Sequence, residues 1–368
     1  MTAESFSLLQ ILKSDEACPG YALAAMLAVP KNKIPQLVEE LESSGIEIER
    51  VSGKGYKLAR EVRWFSLAAW REAMLALGAK PAEVRVLKPS ELRKRQPVES
   101  TEVLLPATHP KEDGNPNHSI ILRREKQVDS TSSEWLKRAS RHDIHGQALL
   151  AEWQSAGRGR HGNPWLSLPE GSLTFSLGWR FATGGGFLGG LPLAVSVAVV
   201  RALSLEGFSD IALKWPNDLV HHYQKLGGIL VELSGDALGP TQAVIGIGLN
   251  ISLPRDSRSE ISQAVTDLSK LSKGRKTPIN REALLARIFV EIVRALETYA
   301  EKGFIAFASD WQKLHIYHQR QVKLLLPDGQ TVKGQVVGVD ANGALVLSQG
   351  NFRHRYTAGE VSLQRLEK

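Results

Sequence analysis

Apolar residues follow two rhythms along this chain, one of helical spacing and one of strand spacing. Phe6, Leu8, Leu9, Ile11 and Leu12 fit a helix within residues 5–16, and "GYALAAMLAV" predicts a second, short one. In "IPQLVEELESSG" the residues Ile34, Leu37, Val38 and Leu41 share a face, with Gly45 as the stop. Pro35 suits that helix only if it begins near Ile34, because proline is tolerated in the first turn and not in the interior. "IEIERVSGKGYKL" then alternates into a turn at Gly53–Gly55 and out again, the pattern of a β-hairpin. Three short helices and a hairpin over residues 1–60 predict a winged helix-turn-helix.

Residues 64–77 read as a helix. From about 80 to 118 the chain turns polar, with prolines at 81, 89, 97, 106, 110 and 116. Residues 61–118 are therefore expected to be a helix followed by an irregular linker or insertion. Its basic cluster Arg93, Lys94 and Arg95 reads as a solvated face. Beyond residue 118, "ALLAEWQ", "SLTFSLGWRF", "IALKWP", "GGILVEL" and "QAVIGIGLNI" are strand-like, and residues 191–205 and 280–301 are the strongest helices. An α+β domain centred on a mixed sheet over residues 119–316 follows. The tail, 317–368, holds short strands around Asp328-Gly329 and Asn342-Gly343, both hairpin signals, and predicts a small SH3-like β-barrel. The fold class is thus α+β multidomain, and no internal repeat is visible.

Composition narrows this picture. The content, 42% hydrophobic and 23% charged, is that of a globular protein. A single cysteine, Cys18, forms neither an internal disulfide nor a thiolate metal cluster, which fits a cytoplasmic location. "MTAESFSLLQILKSDEA" lacks the features of a signal peptide. The longest apolar stretch, "LGGLPLAVSVAVVRAL", contains Pro192 and Arg201 and reads as a buried helix, so no membrane partner is expected. The net charge is +7, yet residues 1–60 hold seven basic and eight acidic side chains, so the positive excess lies further along.

Four stretches carry candidate chemistry. "GRGRHGNPW", residues 157–165, sets Arg158, Arg160 and His161 among glycines. Such a segment suits an idle turn, an RNA-binding tract or a clamp over an anion. It is short, follows a strand ending at Gln154 and precedes Trp165, which favours the clamp. In "LKWPNDLVHHYQKLGGILVEL" the strand ends at Pro216, Asn217-Asp218 turns, and Lys225 precedes Gly227 and Gly228. Lys225 reads either as a solvated charge or as an ammonium aimed into a pocket, and Asp218 suits Mg²⁺ or a polar substrate group. His221 and His222 lack a third ligand at suitable spacing, which argues against a metal cluster. "VDSTSSEW" offers an ordinary helix N-cap or a polar ligand site at that helix start. "VIGIGLNI" has alternating glycines that allow a close backbone approach, with Asn250 at the strand end.

In this order, "DSTS", "AEWQSAGRGRHGNPW", "KWPND", "KLGGILVEL" and "IGIGLNI" closely resemble biotin protein ligase, in the bifunctional form that also represses biotin synthesis genes. The resemblance covers nearly the whole chain apart from residues 80–118. It implies a winged helix, a class II synthetase-like catalytic domain and an SH3-like barrel. It also implies that biotin and ATP, with Mg²⁺, give biotinyl-5′-adenylate, and that biotin then passes to a lysine of a biotin carboxyl carrier protein. On this resemblance Ser130, Thr131 and Ser132 contact biotin with Gln154 beside them and Gly228 nearby. Arg158, Gly159 and Arg160 close over the carboxylate and phosphates. Lys225 stabilises the developing charge, Asp218 positions the acceptor lysine or the metal, and Trp165, Asn217 and Asn250 line the nucleotide side. Lys31, Lys33 and Lys54 are the expected contacts to operator DNA, and a homodimer through the catalytic sheet is compatible with the family. The loop departs from many relatives at Asn163-Pro164, where they carry further basic residues. Two other readings stand beside this one: a lipoate-type ligase, and a biotin-sensing regulator without catalysis.

Overall fold

The computed structural model describes residues 1–82, 99–107, 117–236, 238–254, 263–272, 279–326, 329–357 and 362–365. The cluster Arg93–Arg95 and the turn residue Asp328 lie outside it. The chain opens with three helices, α1 (Ala3–Ile11), α2 (Gly20–Leu27) and α3 (Ile34–Ser43), and an antiparallel hairpin of β1 (Ile48–Val51) and β2 (Gly55–Leu58). Thr2 and Ser5 cap α1 reciprocally, and Pro35 falls in the first turn of α3, where its missing N–H is harmless. Phe6, Leu9, Leu23, Leu37, Val38, Leu41 and Leu58 close a small core of their own.

Helix α4 (Leu67–Ala76) leads into a nine-stranded mixed sheet: β3 (Lys80–Pro81), β4 (Glu99–Pro106), β5 (Asn117–Val128), β6 (Gln147–Gln154), β7 (Ser172–Phe181), β8 (Ala212–Lys214), β9 (Asp218–His221), β10 (Gln224–Gly235) and β11 (Thr241–Asn250). Their order is β3-β4-β5-β6-β7-β11-β10-β9-β8, and only β5 and β6 run parallel. Helix α5 (Thr131–Ala139) makes the crossover between that parallel pair. It packs Trp135 and Ala139 on one face of the sheet against Leu149 and Val244. The other face is covered by α6 (Leu191–Leu205) and the long helix Arg281–Lys302, which bury Val195, Val199, Leu285, Phe289 and Ile292 with Phe175 and Leu177. Strand β7 is thereby buried on both sides: Leu173, Phe175, Leu177, Trp179 and Phe181 pack under those helices, and the smaller Ser172, Thr174, Ser176 and Gly178 alternate with them on the opposite face.

The sequence expectation for residues 80–118 needs correction. Glu99–Pro106 is not irregular: it pairs with Asn117–Arg124 as a sheet strand, with Val103 and Leu105 buried. Its alternation of Thr101, Val103 and Leu105 was masked by the flanking prolines. The tail is a separate antiparallel sheet. β12 (Gln321–Leu325), β13 (Thr331–Val339), β14 (Leu345–Gln349), β15 (Phe352–Tyr356) and β16 (Ser362–Arg365) form an antiparallel sheet in the order β15-β14-β13-β12-β16. Among the described residues its outer strands β15 and β16 each pair with a single neighbour. It is tied to the large sheet by a bond from Trp215 Nε1 to the Gly343 carbonyl, 3.0 Å. Among the described residues no helix is long and apolar enough to cross a membrane.

The end of β6 joins three parts of the molecule through consecutive residues. Glu152, buried, accepts from the Phe65 amide and from Arg281 Nη1 at 3.2 Å, and Arg281 also donates to the Arg63 carbonyl. Trp153 stacks on Phe6 with ring centroids 4.9 Å apart, and so belongs to the N-terminal core. Gln154 faces the cavity described below. Glu170 adds a forked pair with Arg60 and accepts from the Arg63 amide, so residues 60–65 are fastened at two points. Removing one partner of a buried ion pair leaves the other without compensation. Glu152→Ala is therefore expected to destabilise the protein by about 3–5 kcal/mol. Urea unfolding checks this, and a loss under about 1 kcal/mol would contradict it.

Candidate active site

A cavity of about 710 Å³ opens where the N-terminus of α5, the end of β6, the 157–165 loop and strands β9–β11 meet. Its floor depends on strand register. Gly228, Gly248 and Thr174 lie side by side across β10, β11 and β7, and the next row on that face is Leu230, Gly246 and Ser176. A Cβ on Gly246 would overlap Ser132 Oγ, and one on Gly248 would overlap the Trp165 indole. The alternating glycines thus admit two protein side chains, and those side chains line the cavity.

Ser130 caps α5 by accepting from the Ser133 amide, while Gln154 Oε1 accepts from the Thr131 amide at 2.7 Å. Ser176 Oγ donates to Thr131 Oγ1 at 2.8 Å and lies 3.1 Å from Ser132 Oγ. These hydroxyls and Gln154 form one buried polar cluster at a helix N-terminus, a setting that accepts polar or anionic groups. Ser130 caps the helix, and Ser130, Thr131 and Ser132 all line the cavity.

The opposite wall is cationic. Lys225 Nζ lies 2.8 Å from Asp218 Oδ1 and 5.9 Å from the centre of the Trp165 ring. Lys214, Arg158 and Arg160 also line the space, and Asp218 is its one carboxylate among the described residues. Burial pushes the Lys214 ammonium down from its ordinary pKa; Asp218 opposes this and the like charge of Lys225 adds to it. Burial likewise lowers Arg160, with Asp218 opposing. Cations withdrawn from water and short of counter-charge form a site for anions.

Residues 126–250 match the biotin/lipoate A/B protein ligase family, and residues 318–364 match the biotin protein ligase C-terminal domain. The biotin--[acetyl-CoA-carboxylase] ligase of Mycobacterium tuberculosis is 31% identical over 240 residues, 64% of this chain and 86% of that one. The chain belongs to the biotin protein ligase family. The bifunctional ligase/repressor BirA of Escherichia coli is 29% identical over 361 residues, 98% of this chain and 97% of the relative. A solved structure of the ligase from Aquifex aeolicus in complex with biotin and ATP superimposes with a TM-score of 0.56 at 30% identity, covering 67% of this chain and 99% of that one.

The ligase gathers Ser130, Thr131, Ser132, Gln154, Arg158, Gly159, Arg160, Trp165, Asn217, Asp218, Lys225, Gly228 and Asn250 around this one cavity. Their settings differ. Asn217 Nδ2 donates to the Ile229 carbonyl at 2.6 Å, and Asn250 Nδ2 to the Thr266 carbonyl at 3.0 Å, so both amides brace neighbouring backbone. Arg158 forms a forked pair with Glu232. Lys31, Lys33 and Lys54 stand outside the cavity on the N-terminal unit, and Lys33 pairs with Glu4. His221 and His222 meet edge to face, and among the described residues no three His, Cys, Asp or Glu side chains could hold a metal ion.

Sequence reading missed Lys214, Ser176 and Glu232. Each was marked: Lys214 precedes Trp215-Pro216, Ser176 interrupts an apolar strand, and Glu232 is the lone charge in "GGILVEL". The glycine geometry gives a direct test. Gly248→Ala forces the indole to move and is expected to cost about 1–3 kcal/mol in unfolding experiments. Gly228→Ala places its Cβ 3.5 Å from Lys225 Cε, an ordinary contact, and is expected to cost clearly less. Equal effects would contradict the packing assigned to Trp165.

Proposed function

We propose that this ligase joins biotin and ATP in the cavity and passes biotin to a lysine of a biotin carboxyl carrier domain, such as that of an acetyl-CoA carboxylase. The observation that carries this reading is the cationic wall facing a buried hydroxyl and amide cluster. Biotin has a polar ureido ring at one end and a carboxylate at the other. Ser130, Thr131, Ser132 and Gln154 suit the ring, and the basic wall suits the carboxylate. The dithiolane of lipoate offers that cluster few hydrogen bonds, which disfavours the lipoate reading. A regulator that senses biotin without catalysis has no need of two half-buried lysines beside the carboxylate site, as Lys214 and Lys225 stand here.

In the first step a biotin carboxylate oxygen attacks the α-phosphorus of ATP, the bond to pyrophosphate breaks, and biotinyl-5′-adenylate remains. The two anions repel each other, so Lys225, Lys214 and Arg160 lower the barrier by screening both. Trp165, with Asn217 and Asn250 bracing the strands beneath, borders the nucleotide. In the second step the carrier's lysine amine attacks the acyl carbon and AMP leaves. Asp218, held beside Lys225, is placed to orient that amine. Asp218 is the carboxylate that would hold Mg²⁺ brought in with the nucleotide, since that ion needs only one or two carboxylates in such a site. The ion would neutralise phosphate charge. Gly159 belongs to the loop that shields the adenylate from water.

We further read residues 1–60 as a winged helix-turn-helix, 61–118 as the connection to the 119–316 catalytic unit, and 317–368 as an SH3-like unit, in a cytoplasmic protein. The full-length relatives named ligase/repressor support operator binding. Lys33 is paired with Glu4, Arg50 with Glu42 and Lys57 with Glu49, so Lys31 and Lys54 carry most of the phosphate attraction. A homodimer through a strand edge gains little from the sheet. Edge strands β3 and β8 span two and three residues, and β8 already accepts the Ile316 amide on Leu213.

Three experiments test these readings. Incubating the protein with Mg-ATP, a carrier domain and either biotin or lipoate should add the mass of biotin alone to the carrier; a lipoyl gain, or none, would contradict it. Lys225→Ala is expected to slow pyrophosphate release about 10²–10³-fold, and an unchanged rate would remove it from the mechanism. Gel shifts with biotin-gene upstream DNA at varied salt should give sequence preference that weakens with salt and with Lys31→Ala. Equal affinity for random DNA would argue against repression.

A further inference from the structure

The 157–165 loop is a narrow hairpin with a paired base. Trp165 N donates to the Gly157 carbonyl at 2.8 Å, Gly159 N donates to Asn163 O at 2.7 Å, and Arg158 and Pro164 bridge between them. Gly157 is hemmed in, since a Cβ there would overlap the Trp165 carbonyl oxygen and meet Gln154 Nε2. The tip, Arg160–Gly162, is a turn in which His161 adopts φ +55°. The base and tip therefore hold one arginine each, and the two arginines meet different surroundings.

Arg158 is fully engaged. Its Nη1 and Nη2 donate to Glu232 Oε1 and Oε2 at 2.8 and 2.6 Å, and its Nε donates to Ser133 Oγ at 2.7 Å. Glu232 comes from β10 opposite Val244, and Ser133 from the first turn of α5. One guanidinium thus fastens the loop base to two rigid elements by charge-assisted bonds of forked geometry. Arg160 lines the cavity, where the Asp218 carboxylate favours its charge.

We propose that Glu232 is a positioning residue of this ligase: with Ser133 it takes up Arg158 and anchors the loop base, leaving Arg160 at the tip as the loop's cation for the ligand. The two arginines of "GRGR" then have separate duties, one binding protein and one binding substrate. This division rests on the adenylation reading for the role of Arg160, while the anchor itself is independent of any ligand.

The test uses the full-length chain. Without ligands, Glu232→Gln should speed tryptic cleavage after Arg160 about tenfold, the scale set by losing a hydrogen-bonded charge pair. Glu232→Asp, which keeps the charge, should restore most of the protection. The double variant Arg158→Gln, Glu232→Gln should be no more sensitive than Glu232→Gln alone, because the two act as one unit. In steady state Glu232→Gln should raise KM for biotin about tenfold while kcat changes less than about threefold, since the groups at the reacting atoms are untouched. Wild-type cleavage kinetics in Glu232→Gln would overturn the anchor. A fall in kcat at unchanged KM would place Glu232 in the chemistry and overturn the positioning role. If the wild-type protein fails to biotinylate a carrier while the cleavage pattern holds, the anchor stands and the adenylation reading falls.

Discussion

The register of β10, β11 and β7 is the constraint on which the site depends. It sets Gly228, Gly248 and Thr174 in one row and Leu230, Gly246 and Ser176 in the next, all on the cavity face. A slip of one residue would turn these to the opposite face and offer bulkier neighbours in their place. Ser132 and Trp165 occupy the space that the glycines leave, so the helix start and the end of the loop are both seated by the sheet. The register is in turn fixed by burial on both sides: α5 covers one face and the helices α6 and Arg281–Lys302 cover the other.

On that floor the electrostatics follow from unequal pairing. Arg158 is matched by Glu232 and Lys225 by Asp218. Lys214 and Arg160 are half-buried cations whose charge is favoured by Asp218, which is already engaged with Lys225. Desolvation without full compensation is unfavourable to the empty protein, and an anionic ligand relieves it. A carboxylate and a phosphate brought together in such a place lose much of their mutual repulsion. In the proposed mechanism the wall that attracts the substrates also lowers the barrier between them.

Much of this was legible in the sequence where one physical signal dominated. The 3.6 period in "IPQLVEELESSG" and the apolar run at 191–205 gave helices that match α3 and α6 closely. The five motifs, in order, marked the cavity residues. The rest depended on contacts distant in sequence. Val103 and Leu105 joined the sheet despite the prolines around them, because burial against the large core outweighed a local tendency to irregular structure. Gly246 and Gly248 suggested a close approach but could not say that Ser132 and Trp165 fill it. Arg158 and Arg160 looked equivalent until Glu232, 74 residues away, was seen to hold only the first. The seam at Glu152 and Trp153 was invisible for the same reason, since its partners Phe6, Phe65 and Arg281 come from three separate parts of the chain.

That seam puts the N-terminal unit, the long C-terminal helix and the cavity on successive residues of β6, so all three share one rigid strand. The central claim nonetheless concerns the cavity: it exists to join a carboxylate to an α-phosphate and to keep the product. The most direct measurement omits the carrier. The protein is mixed with biotin and Mg-ATP, freed of unbound ligand, denatured, and the released small molecules are identified by mass spectrometry. The account predicts biotinyl-5′-adenylate in an amount close to that of the protein. Recovery of only intact biotin and ATP, or of neither, would contradict it.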